Sequence, residues 1–139
     1  PSYVQEITIR LLSRSPKTVK VSHPFRWDQI ALSPKIVESY QKDSLCLSKT
    51  ALPFIRQMLC AQRKVHKNAQ LHAYPLLMLL CENDSIAEPA ASKEFFSIYG
   101  GSRKQKTYQA SGHALLEDQE SSQVLEDIHA WILSHHEST

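Results

Sequence analysis

Two side chains stand out for their type and place. Asp84 ends the stretch PLLMLLCEND, where an apolar run meets Glu82, Asn83 and an acid. His113 follows KTYQASG, with Gly112 directly before it. A carboxylate beside an imidazole fixes the tautomer of the ring and stabilises the imidazolium that forms when it takes a proton. A hydroxyl nucleophile needs that help from its base. If the two residues follow the carboxyl ends of neighbouring parallel strands, where sites of open parallel sheets gather, both emerge on the same rim. Gly112 would then allow the tight loop that turns the ring inward. Read alone, Asp84 has a second reading as a turn or helix-capping aspartate, and His113 as a loop histidine, both weaker than the paired one.

Other reactive side chains have blander readings. Cys81 lies close to Asp84 and invites a thiol nucleophile, but a small apolar side chain in a buried strand is the stronger reading. No Cys or acid at ligand spacing joins His129, His135 and His136, so no metal is expected there, nor any cofactor. Arg56, Arg63, Lys64 and Lys67 mark a basic helix face. Its default is solvation, and its alternative is peripheral contact with an anionic membrane surface.

The elements that must position Asp84 and His113 follow from periodicity. Leu76–Cys81 is continuous apolar text, as in a parallel strand buried on both faces. Pro89 opens a helix in which Phe95, Phe96 and Tyr99 form the apolar side, and Gly100-Gly101 ends it. Lys104–Ala110 reads as a second strand. Ser121 or Ser122 caps a last helix with Val124, Leu125, Ile128, Trp131 and Ile132 at helical spacing. Residues 75–136 thus read as strand, helix, strand, helix, and the crossover makes the strands parallel. The first 74 residues read as helices and loops without a clear strand. A short amphipathic helix is predicted over 3–12 and a loop over 13–23. A helix within 32–43 has Ser33 as N-cap and Pro34 at its first position. A long helix within 47–69 has Thr50 as N-cap, with Leu52, Ile55, Leu59 and Val65 on one face and Met58 at its edge.

Composition narrows the class. The chain has 139 residues, with 42% hydrophobic and 22% charged, as in a soluble domain of modest size. Sixteen basic against fourteen acidic residues give a net charge of +2, which argues against a nucleic-acid footprint. No apolar run reaches the length of a transmembrane helix. Three cysteines, without a CxxC pair, suit a reduced, cytoplasmic chain. Pro1 implies either a removed methionine or a start inside a longer protein.

PLLMLLCENDSIAEPAASKEFF, KTYQASGHALLED and VLEDIHAWI together resemble the C-terminal part of an α/β-hydrolase. The branch they resemble is the monoacylglycerol lipase and lysophospholipase group, also described as serine-aminopeptidase-like. In that group a strand-end G-x-x-D carries the catalytic acid and a later x-G-H the base, and Asp84 and His113 match those positions. LSPKIVESYQKDSLCL and the helix after it resemble the group's helical cap. Cys81 and Glu82 depart from the usual His-Gly, and Ala114 replaces a common Glu.

The resemblance implies an α/β fold, with a cap or lid segment over 1–74 and the C-terminal part of the hydrolase core over 75–139. It implies serine ester hydrolysis of a monoacylglycerol, a lysophospholipid or a similar small-molecule ester. His113 would be the base and Asp84 its orienting acid, and Leu52, Ile55 and Leu59 of the cap would line the path of the acyl chain. The nucleophile motif G-x-S-x-G and the oxyanion-hole motif do not occur in the sequence. The chain order of the group places both before Pro1, so a preceding segment or a partner chain would supply them, and these 139 residues alone would be inactive. The alternative is a non-catalytic, truncated hydrolase-fold module that acts in binding, or one chain of a split enzyme.

Overall fold

The structure is a computed structural model that describes residues 19–22 and 26–136. The helix expected over 3–12 lies outside the described residues. The chain divides into two compact units. One comprises residues 1–24 and 44–68, the other residues 25–43 and 69–139.

The first unit holds two short strands where the sequence reading expected none. These are β1 (Lys20–Ser22), inside the stretch read as loop, and β2 (Lys49–Ala51). They pair antiparallel, with Val21 opposite Thr50. Three-residue strands leave almost no alternation to read, and their pairing joins positions far apart in the sequence. Helix α1 of this unit (Leu52–Lys67) follows β2 without a loop. Thr50 is therefore a strand residue and not the N-cap; Ala51 takes that place, with no side-chain cap bond. One N–H of the first turn is satisfied instead by the Val19 carbonyl, which accepts from Leu52 at 3.0 Å. Leu52 is buried and Ile55 and Leu59 are half-buried, while Met58 and Val65 are exposed.

The second unit is built around β3 (Leu76–Cys81) and β4 (Arg103–Tyr108), joined by helix α2 (Pro89–Ile98) and followed by helix α3 (Ser121–His136). The strands are parallel and in step, Leu76 opposite Arg103 and Cys81 opposite Tyr108. They therefore end level, and their following loops rise from the same rim. A further helix, α4 (Pro34–Lys42), precedes them in the chain and belongs to this unit.

Burial concentrates at that rim. Leu80, Cys81, Tyr108, Ser111, Asp118, Val124, Ile30 and Ala31 are all buried. Removing Val124 from water contributes about 1.5–3 kcal/mol. Leu76 to Leu79 are only half-buried, against the expectation of a strand covered on both faces. Among the described residues β3 pairs with β4 alone, so its other edge has no neighbour. Of the face expected on the last helix, Val124, Ile128 and Trp131 turn inward, while Leu125 and Ile132 are exposed.

Gly100 follows α2, but not as a left-handed cap, because no glycine has positive φ. A Cβ there would overlap the Gln70 carbonyl oxygen, so the position is glycine because two backbones touch.

Candidate functional site

At the end of β3 the chain turns through Glu82 and Asn83, and Asp84 closes the turn. Its Oδ1 accepts the N–H of Ile86 at 2.8 Å and of Ala87 at 2.9 Å. Its Oδ2 lies 2.8 Å from His113 Nδ1. One oxygen of Asp84 thus serves the turn, and the other faces His113. The Asp84 side chain is 11% exposed and that of His113 43%. Burial opposes the charge of Asp84, but the N–H groups of Ala87 and Ile86 and the His113 ring outweigh it, and its carboxyl stays ionised below its ordinary range.

An ionised carboxylate only accepts hydrogen bonds, so Nδ1 of His113 carries a proton, and in the neutral ring Nε2 is then the nitrogen with the lone pair. The ring lies on an apolar cleft of about 520 Å³, lined also by Ile30, Tyr40, Leu79, Ile86, Leu115 and Ile128. Such an imidazole can take a proton from a hydroxyl presented at Nε2 and return it to a leaving group.

The loop that carries His113 is held by groups the sequence reading did not single out. Glu120 accepts from the Ala110 N–H at 2.7 Å and from the Ser111 hydroxyl at 3.1 Å. Asn83 donates to the Gln109 carbonyl at 3.0 Å, which ties the two strand-end loops together. Asp118, only 3% exposed, accepts from the N–H of Gly112 and of Leu32, each at 2.7 Å, and of Ser33 at 3.1 Å. Ser33 is the N-cap of α4 by backbone conformation, as expected, but its side chain makes no cap bond. Gly112 is buried, and a Cβ on it would lie 2.9 Å from the Ala31 Cα and the Ile30 oxygen. Close approach, and not a special φ, selects glycine there. The one signal for Asp118 was an acid five positions after a candidate base, inside the polar text LEDQE.

Cys81 is 3% exposed and donates its S–H to the Ser111 carbonyl. Burial, with the charges of Asp84, Glu120 and Asp118, raises its pKa, so the thiolate is disfavoured. Leu52, Ile55 and Leu59 lie on α1 of the first unit. His129 is exposed, and the ring of His135 lies against Trp131 at 4.4 Å. No group of three or more metal-ligating side chains occurs among the described residues. Nor does any described helix have the length and apolarity to cross a membrane.

A parallel strand–helix–strand unit with an acid and a histidine on its carboxyl rim is an arrangement that the α/β-hydrolase fold contains. Solved structures carry the same fold. Over 97% of its length the chain is similar to a monoacylglycerol lipase from Paleococcus ferrophilus, with a TM-score of 0.87 at 19% identity. Over 96% it is similar to a soluble variant of monoglyceride lipase from Saccharomyces cerevisiae, with a TM-score of 0.81 at 16% identity. It spans about half of each, 53% and 47% of their lengths. A comparison with curated protein sequences returned no match. The chain belongs to the serine aminopeptidase S33 family of hydrolases, whose sequence profile matches residues 1–120.

Proposed function

We propose that this chain is the acid- and base-bearing part of a serine ester hydrolase acting on monoacylglycerols, lysophospholipids or similar esters. The observation that carries the reading is the 2.8 Å contact between His113 Nδ1 and Asp84 Oδ2 on the rim of parallel strands. His113 acts as general base and then general acid, and Asp84 holds its tautomer and balances the imidazolium. The apolar cleft beside the ring suits an acyl chain, and the yeast lipase of the same fold was solved with a substrate analogue.

The serine nucleophile and the oxyanion-hole N–H groups come from polypeptide other than these 139 residues, either a preceding segment or a partner chain. The sequence has no G-x-S-x-G, and the unpaired edge of β3 offers the place where a neighbouring strand of such polypeptide would add. The test is turnover of monoacylglycerol, lysophospholipid and a chromogenic short-chain ester by the protein assembled with its nucleophile part. His113→Ala should lower kcat by roughly 10³-fold or more. Undiminished hydrolysis by that variant would overturn the assignment.

A further inference from the structure

The residue in the base position is tied down on both sides to one short segment of chain. On its N-terminal side, the Gly112 N–H donates to Asp118 Oδ2, which also accepts from Leu32, while Oδ1 accepts from Ser33. On its C-terminal side, the Ala114 N–H donates to the Ile30 carbonyl at 2.8 Å. Gly112 itself is pressed against Ala31. Residues 30–33 lead into α4, whose Tyr40 lines the cleft and donates to Glu117 at 3.2 Å.

We propose that Asp118 is a positioning residue of this site: its carboxylate sets the loop that aims His113 at Asp84, and couples that setting to the start of α4. The proposal rests on His113 being the base. Three N–H donors converge on a buried point, and only an ionised carboxylate has enough acceptor sites and no donor of its own to meet them. Burial opposes its charge, yet these bonds and the Gln119 N–H outweigh it and keep the group ionised. The Gly112 bond holds the Ser111–Gly112 peptide, one residue before the base. A slip of that peptide by about 1 Å would mis-set the ring, and displacements of that size cost roughly 10²-fold in turnover.

The experiment compares Asp118→Ala and Asp118→Asn with Tyr99→Phe in the assembled enzyme. Tyr99 donates to the Tyr74 carbonyl at 2.9 Å, at the opposite end of the strands, so its variant loses a comparable bond away from the rim. Kinetics, melting temperature and the downfield proton resonance of His113 Nδ1–H are read on each. Asp118→Ala should lower kcat by roughly 10²-fold with KM within about threefold, and shift or broaden the His113 resonance. Asp118→Asn keeps an oxygen for Gly112 and Leu32 but turns an NH₂ toward Ser33, so it should fold and lose roughly tenfold. Tyr99→Phe should lower the melting temperature alone.

If kcat of both Asp118 variants matches that of Tyr99→Phe, or KM rises while kcat and the resonance hold, the positioning role is overturned. His113→Ala is run beside them. If it is inactive while the Asp118 variants are fully active, only the positioning role falls. If it is active, the base assignment falls and the positioning role with it.

Discussion

Asp84 holds His113 with one carboxylate oxygen, Oδ2 to Nδ1 at 2.8 Å, while its Oδ1 closes the turn that follows β3. The two jobs are separable by mutation. In Asp84→Asn the side-chain oxygen can keep the turn, but the uncharged NH₂ then faces Nδ1 as a donor and cannot hold a proton there. Stability should change little, while ester turnover by the assembled enzyme should fall roughly 10³- to 10⁴-fold. Asp84→Ala should show the same kinetic loss and an added cost of about 1–2 kcal/mol from the lost turn bonds. Paired urea melts and kcat values check this. Equal stability of the two variants would show that the turn bonds do not matter.

The same carboxylates make stability depend on pH. Asp84 and Asp118 both titrate below the ordinary 3.8. A depressed folded-state pKa means the unfolded chain binds the proton first as pH falls. The stability these groups lend is therefore complete above about pH 5 and lost as pH drops through their folded values. Urea midpoints taken from neutral pH downward should decline in that acid window. Asp118→Asn should show a shallower decline, and an unchanged slope would contradict the role of Asp118 in acid stability.

Thiol reactivity should follow burial in the fold. Cys60 is exposed, Cys46 half-buried and Cys81 buried with a raised pKa. At mildly alkaline pH, iodoacetamide should label Cys60 first and spare Cys81 until the protein is unfolded in urea. Peptide mass mapping reads the order. Rapid native labelling of Cys81 would mean that the strand end is open, against the packing of Cys81 under Ser111.

The elements around the site were legible because their signals are local. Leu76–Cys81 is an unbroken apolar run, and the strand occupies those same residues. Pro89 marks the first turn of α2, and Val124, Ile128 and Trp131 mark the inner face of α3 through spacing alone. Two strand ends then imply one rim, which is why Asp84 and His113 could be paired from text. The short strands β1 and β2 were not legible, since three residues carry no pattern and Thr50 serves a cap or a strand equally well. The glycines were misread for a related reason. Gly100 and Gly112 look like turn residues, but their lack of a side chain answers to backbone atoms of Gln70, Ile30 and Ala31, which no local reading can place.

The sequence by itself determined the alternation of strand and helix over residues 75–136 and the candidacy of one acid and one base, because hydrophobic period and turn chemistry act over a few neighbouring residues. Only the tertiary structure decided that the strands end level, that Asp84 divides its oxygens between turn and ring, and that Asp118 joins Gly112 to Leu32 and Ser33. Those facts depend on where distant backbone N–H groups converge once the chain is packed, and a buried carboxylate and an exposed one are spelled with the same letter.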